Sequence, residues 1–447
     1  MKNQDMALAE QAKGILHQNW LGTATKPAPK LYPHQWSWDS AFIAMGYAHY
    51  DQAKAMQELR SLFRGQWSNG FLPHIVFRQR EVKDYFPGPD YWQTERSPEG
   101  PKPHQAATSG IIQPPVHATA AWHIYRHASD KKVAKHFLAE LFPRLKAWHW
   151  YLYRERDIDN NGLVYIRHPW ESGQDNSPMW DAVLNRIQVT REMLPPYRRV
   201  DLNEIDGSHR PSDRDYDRYV YLMVQARENK YAENHIQKNF PFLIQDVLFN
   251  ALLVKANRDL AAIAELLGQD AQPFQTWANK TAQGMNSQLW NAEKRIYQSY
   301  DRASQQPIPI SVAAGFSPLY ADVPTHAQAI QMLKTFYDSN FCGSGSWTVP
   351  SCSRQEAMFD PSRYWRGPVW INLNWLLIQG FENYGCYHEA EQLRQNSLEL
   401  PRRSGFYEYF NPDTGAGLGS ANFSWTASLV LDLLLKEQAA DQAHSNL

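Results

Sequence analysis

The sequence predicts an all-α fold: a toroid of six helical hairpins, or (α/α)6 barrel, with a few short β-strands and long flap loops. Three observations lead there. Helical periodicity dominates the 447 residues and marks about a dozen candidate helices. No repeat of about 34 or 40 residues runs through them, which disfavours a regular solenoid. The segments richest in aromatic, acidic and amide side chains each sit just before a helix candidate, as they would if the inner helices of a ring began at one shared rim.

The elements follow in order. Helix candidates cover about 4–18, 39–49, 51–64, 115–128, 179–188, 215–230, 271–289, 368–384, 386–399 and 421–437. Phe137, Leu141 and Leu145 mark a further helix ahead of Trp148. Leu248, Leu252, Ala256, Leu260, Ile263 and Leu267 draw one apolar stripe along a long helix. Ile330, Leu333 and Tyr337 mark another, with Thr325 as its N-cap after Pro324. Period-two alternation is rare, and Gly162–Arg167 and Ile296–Tyr300 are its best instances. The stretches at about 73–108 and 189–214 carry several prolines and many charges. Loops of that length are uncommon unless functional or disordered, and they read as flaps over a site. A single catalytic domain is expected to span residues 1–447.

Composition excludes several classes. The 45 Lys+Arg balance 46 Asp+Glu, so nucleic acid and anionic membranes are not expected partners. No run of 18 apolar residues suggests a membrane span, and residues 1–6 lack a signal-peptide core. Cys342, Cys352 and Cys386 are odd in number and lack CxxC spacing, which fits a reducing cytoplasm better than a disulfide framework. The 16 histidines are scattered and no HExxH occurs, so neither a metal nor a cofactor is expected. Asp157–Gly162 copies the start of a calcium loop, but its twelfth position is His168 rather than Glu. Homo-oligomerisation is left open. The chain holds 17 Trp, 23 Tyr and 19 Phe, many beside polar residues. A large core of bulky side chains and a pocket for a sugar ring, apolar on its faces and polar at its edges, explain this equally well.

Five segments carry candidate chemistry. In Trp36-Ser37-Trp38-Asp39, two indoles at i and i+2 offer stacking faces, and Asp39 either accepts from vicinal hydroxyls or caps a helix. Ser109–Pro115 brings Gln113, both donor and acceptor, to a helix mouth. In Trp170-Glu171-Ser172-Gly173-Gln174-Asp175-Asn176-Ser177, Ser177 reads as the N-cap. Asp175 is thereby left uncommitted between Trp170 and Trp180, where indoles would desolvate it and raise its pKa. Arg363–Trp370 is dense in aromatics and cations: Tyr364, Trp365 and Trp370 could clamp a ring, and Arg366 could pair with a carboxylate. Phe406–Phe410 alternates before the glycine-rich turn Gly415–Gly419 and puts Glu408 on one face with two phenylalanines. Two carboxyl groups walled by aromatics suit a proton donor and a proton acceptor on either side of a sugar.

Together with Phe423-Ser424-Trp425-Thr426, these segments resemble glycoside hydrolase family 63, among the inverting α-glycosidases on an (α/α)6 barrel that include trehalases and glucoamylases. The resemblance runs from residue 32 to 426, and the modest length is similar to that of the bacterial mannosylglycerate and glucosylglycerate hydrolases. It implies Asp175 as general acid and Glu408 as general base. It also implies a sugar subsite of Trp38, Asp39, Gln113, Trp365, Gly367 and Trp370, with Tyr32 at the head of the first segment. In these hydrolases mobile loops bring Tyr and Arg to a substrate carboxylate, which implies Tyr85, Arg210 and Tyr216 here. The same loops also hold Arg78, Arg80, Arg198, Arg199 and Arg214.

The expected activity is hydrolysis of a small α-glucoside or α-mannoside, glucosylglycerate or mannosylglycerate first, with inversion at the anomeric carbon. A neutral disaccharide or glycoside of the kojibiose, trehalose or glucosylglycerol type is the alternative substrate. A non-catalytic sugar-binding protein is the alternative from another class.

Overall fold

The computed structural model describes residues 3–78, 85–102, 104–338, 341–342 and 348–445. Arg80 lies outside them. In chain order the helices are α1 (Asn3–Asn19), α2 (Ser37–Tyr47), α3 (Gln52–Phe63), α4 (Pro89–Trp92), α5 (His117–His127), α6 (Lys131–Arg156), α7 (Asp181–Asn185), α8 (Asp213–Glu228), α9 (Glu233–Asn239), α10 (Val247–Leu267), α11 (Gln272–Gly284), α12 (His326–Tyr337), α13 (Ile371–Asn383), α14 (Tyr387–Ser404) and α15 (Ser424–Ser445).

Packing arranges these as an (α/α)6 barrel. Six elements close an inner ring: α2 packs on α5, α5 on α10, α10 on the 3-10 segment Ala313–Leu319, that segment on α13, α13 on α15, and α15 back on α2. Outer helices alternate with them along the chain. α1 backs α15, α3 backs α2, α6 backs α5 and α10, α11 backs α10, and α14 backs α13. α12 meets the 3-10 segment through Phe336 and Phe316, whose ring centroids are 6.2 Å apart.

The ring position explains the composition of its helices. All residues of α2 from Ser37 to Tyr47 are buried, and so are fifteen residues of α10. A helix enclosed on most sides is apolar on most faces. The single stripe read along 248–267 is therefore only part of what α10 buries. Thr325 caps α12 as expected, in a reciprocal box with Gln328.

Three expectations need correction. The 179–188 segment is a 3-10 turn, Pro178–Trp180, followed by the five-residue α7, and it is not a ring helix. The next ring helix is α10, reached only after α8 and α9. The 271–289 helix ends at Gly284 and continues as a π-helical turn, Met285–Leu289. The fourth ring member, Ala313–Leu319, carried no periodic signal because it is seven residues long with Gly315 and Pro318 inside.

Strands are short. Gln35–Trp36 pairs with Ile75–Val76. Tyr165–Ile166, Ile244–Gln245, Tyr300–Asp301 and Gln306–Pro307 form one small antiparallel sheet. Tyr407–Phe410 pairs with Gly417–Ala421, and the register slips between Leu418 and Ala421. The Asp157 loop is closed by Lys280, whose ammonium lies 3.1 Å from Asp157 Oδ2.

Candidate active site

Four ring elements begin at the same end of the barrel, and two adjoining cavities lie there. The inner cavity is lined by Trp38 and Asp39 from the first turn of α2, Trp365 and Trp370 ahead of α13, Glu408, and Phe423 and Trp425 at the start of α15. The outer cavity is lined by His74, Tyr85, Trp170, Asp201, Arg210 and Tyr216. Tyr32, Trp36, Gln113, Asp175 and Tyr364 line both. Asp175 thus stands where the two meet.

Each carboxyl group is positioned by local chain geometry. Gly173 has φ +71°, and a β-carbon there would lie 2.5 Å from the Trp38 ring. Only glycine lets the 170–178 loop turn against that indole and present Asp175. The backbone carbonyl of Asp175 accepts a hydrogen bond from Tyr219, and the Tyr364 hydroxyl lies 3.5 Å from its Oδ2. Ser177 takes up the capping task, accepting from the Met179 amide. Glu408 sits opposite the register slip of its hairpin. Tyr32 donates to its Oε1 at 2.8 Å and the Ser420 amide to its Oε2 at 3.1 Å. Gly419 has φ +71° and a missing β-carbon that would fall 2.6 Å from Glu408 Oε2. The irregular strand therefore aims the carboxylate into the cavity and leaves room for it.

Burial, aided by repulsion from Glu408, holds the Asp175 carboxyl at about 7 against the opposing pull of Arg210 and of hydrogen bonds from its own amide and Tyr364. Glu408 is raised as well, by burial, against the opposing influence of Arg210, Ser420 and Tyr32. Hydrogen bonds to Glu408 therefore offset its desolvation without cancelling it. Asp39 is held well above the usual carboxylate range by burial, with Glu408 and Asp175 adding repulsion. It is the third residue of α2 and caps nothing: the N-cap position is Trp36, which has no side-chain cap bond.

The aromatic walls are stacked. Trp365 and Trp370 lie face to face at 3.7 Å, and Trp370 stacks on Tyr409 at 4.8 Å. Tyr364 adopts φ +42°, a strained backbone for a bulky residue, while its ring carries the Arg210 guanidinium at 4.3 Å. Arg210 is 7% exposed, its Nε is 3.3 Å from Asp201 Oδ2, and its Nη1 is buried without a hydrogen-bond partner. A buried guanidinium with a free donor is a ready binding site for a carboxylate. Gln113 Oε1 accepts the Trp38 amide at 3.1 Å, which fixes this side chain on the lining of both cavities.

One reading of the sugar subsite differs from the structure, and the expected pairing of Arg366 with a carboxylate is met inside the protein. Gly367 lines neither cavity; its amide donates to Ser351, and a β-carbon there would meet the Asp360 carbonyl at 2.3 Å. Its smallness serves chain packing behind Trp365. Arg366 pairs with Asp181 and reaches Asn176, tying the 363–370 loop to the 170–178 loop. Glu171 is also withdrawn from the cavities: it forms a buried ion pair with Arg156 and accepts the amides of Arg167 and Ile112. Sequence reasoning missed Asp201 and His74. Neither stands in an aromatic cluster, and only the folding of the 189–214 stretch brings Asp201 beside Arg210.

The family model described as mannosylglycerate hydrolase MGH1-like glycoside hydrolase domain matches residues 32–426. The chain belongs to this glycoside hydrolase family. The mannosylglycerate hydrolase of Rubrobacter radiotolerans is 46% identical over 96% of this chain and 97% of its own length. The glucosylglycerate hydrolase of Mycolicibacterium hassiacum is 38% identical over 96% and 97%. The crystal structure of the glycoside hydrolase family 63 mannosylglycerate hydrolase from Thermus thermophilus with Tris and D-glycerate superposes with TM-score 0.88 at 43% identity, covering 95% of this chain and 99% of that one. Among the described residues of this glycoside hydrolase, no helix is long and apolar enough to cross a membrane.

Proposed function

We propose that this glycoside hydrolase cleaves the α-glycoside of glycerate, gluco- or manno-configured, with inversion at the anomeric carbon. The observation that carries the reading is Arg210, a buried cation with an unpartnered Nη1 in the outer cavity. Asp175 separates that cation from the inner cavity of stacked indoles. The sugar fills the inner cavity and the glycerate carboxylate meets Arg210, which brings the glycosidic oxygen to Asp175. Relatives named for mannosylglycerate and glucosylglycerate support this substrate class.

In the reaction, protonated Asp175 donates to the leaving oxygen. Ionised Glu408 takes a proton from a water on the opposite face of the anomeric carbon, and that water attacks through an oxocarbenium-like transition state. Inversion requires carboxyl groups about 6.5–9.5 Å apart, wide enough for the water. Arg210 has a second part. Its charge lowers the Asp175 pKa, so a bound carboxylate that neutralises it lets that pKa rise and keeps the acid protonated.

A substrate panel tests the reading: glucosylglycerate, mannosylglycerate, trehalose, kojibiose and glucosylglycerol, scored by released sugar, with proton NMR of the first-formed anomer. The glycerate substrates should turn over best and give β-sugar first. Arg210→Ala should raise KM for them by about 10- to 100-fold, the worth of a charge-assisted hydrogen bond of about 1.5–3 kcal/mol, and leave neutral substrates little changed. With glycerate substrates the alkaline limb of kcat should lie above that of kcat/KM. A preference for the neutral sugars, or an equal KM effect on both groups, overturns the glycerate assignment. α-Sugar released first overturns inversion.

A further inference from the structure

The opposite end of the barrel gathers residues that are far apart in the chain. His49 lies two residues beyond α2, His123 and His127 share one face of α5 at i and i+4, and Asp432 comes from α15. These three helices are consecutive members of the inner ring. One ligand atom from each of the four side chains lies within 4.8 Å of the others. The site is remote from the inner cavity, since ten residues of helix and turn, about 15 Å at 1.5 Å per residue, separate Asp39 on its lining from His49.

The four groups are arranged by their other contacts. His49 Nε2 and His123 Nε2 approach the same oxygen, Asp432 Oδ1, at 2.8 and 3.2 Å. The other carboxylate oxygen, Oδ2, accepts the Trp375 indole N–H at 2.7 Å, which turns Oδ1 toward the imidazoles. His127 Nδ1 lies 3.0 Å from the His123 carbonyl and donates to it, so its Nε2 carries the free lone pair. His123 Nε2 is buried and lacks a partner of hydrogen-bond geometry. Outer hydrogen bonds that fix an imidazole tautomer and orient a carboxylate are the usual second layer of a metal site.

We propose that His49, His123, His127 and Asp432 bind one zinc-class divalent transition-metal ion that staples α15, α2 and α5 at the end of the barrel away from the substrate. Three imidazoles and one carboxylate suit zinc and its neighbours, whereas calcium and magnesium take oxygen ligands. Four protein ligands make a closed, structural type of site. A tetrahedron with bonds of about 2.0–2.1 Å has edges of about 3.4 Å, and the present separations, from 2.8 Å to within 4.8 Å, bracket that edge. His127 is exposed and gives the ion a way in from solvent.

The test uses the full chain without a polyhistidine tag, stripped with a chelator and titrated with zinc or cobalt alone. Calorimetry should show one equivalent bound, cobalt should develop the visible bands of a four-coordinate ion, and the melting temperature should rise. His127→Ala, at an exposed position, should weaken zinc binding by at least about 100-fold and leave kcat unchanged. Trp375→Phe keeps all four ligands and should weaken it by about 10–100-fold, as loss of an outer-layer partner does. Substoichiometric binding to the stripped chain, or one-equivalent binding that His127→Ala does not alter, overturns the site.

Discussion

Tyr32 and Ser420 each donate to Glu408, whereas the Tyr364 hydroxyl stands at the longer distance of 3.5 Å from Asp175. Both carboxyls are raised by burial; the hydrogen bonds from Tyr32 and Ser420 favour charge on Glu408, and burial holds Asp175 protonated. With Asp175 near 7 in the free protein, kcat/KM should fall as pH rises through about 7. Asp175→Asn should abolish that limb and lower kcat by about 10²–10⁴-fold; a pH–rate profile checks both. The same carboxyl bears on stability. Below about pH 4 it is neutral folded and unfolded. From about 4 to 7 the unfolded chain ionises while the folded one holds its proton, so stability declines with rising pH by on the order of 4 kcal/mol. Urea unfolding should therefore show Asp175→Asn gaining on the parent between pH 5 and pH 8. A difference that does not move with pH would assign the shift elsewhere. At this scale the sequence was informative: an acid set between indoles and released from capping by Ser177 already looked unusual. Gly367 shows the limit, because a small residue that lines a pocket and one that avoids a carbonyl look the same in sequence.

The hairpin of Tyr407–Phe410 and Gly417–Ala421 is the element on which the proposed base depends. Alternation foretold that Glu408 and Tyr409 point to opposite faces; the structure buries both, at 2% and 0% exposure, because the strand is enclosed on each side. What sequence could not supply is the slip opposite Glu408 that creates space at Gly419. Gly419→Ala should place a methyl against the carboxylate and strain a positive φ. The expected cost to stability is more than about 1 kcal/mol, with a much larger fall in kcat than in substrate affinity. Circular-dichroism melting and steady-state kinetics separate the two effects. A loss of kcat no greater than the loss of stability explains would remove the positioning role. The short helices show a related limit. Ala313–Leu319 completes the ring without helical periodicity, since contacts from α10 and α13 hold it in place of propensity.

Across the whole molecule, the site rests on a buried ionic platform. Arg156 bridges Glu171 and Glu233, Arg167 approaches both, and Tyr151 and Tyr165 complete the hydrogen bonding of Glu233. Arg167 also donates to the Gly110 carbonyl, and Glu171 accepts the Ile112 amide, so the platform ties the Gln113 loop to the Asp175 loop. Removing one member leaves charge buried without its partner. Glu171→Ala should cost about 3–5 kcal/mol, read by chemical denaturation. A loss below about 1 kcal/mol would mean that water or neighbours replace the carboxylate.

The sequence by itself determined the helical ring, the order of most of its members and the aromatic segments before them, because these follow from local periodicity and from residues adjacent in the chain. Tertiary structure alone decided which acids face the cavity: Glu171 and Asp175 are four residues apart, yet one is locked to Arg156 and the other lines both cavities. It also decided that three scattered histidines meet one aspartate. The physical reason is the same in both cases. Burial and pairing arise between groups from distant parts of the chain, and a carboxylate or an imidazole acquires its reactivity from those neighbours.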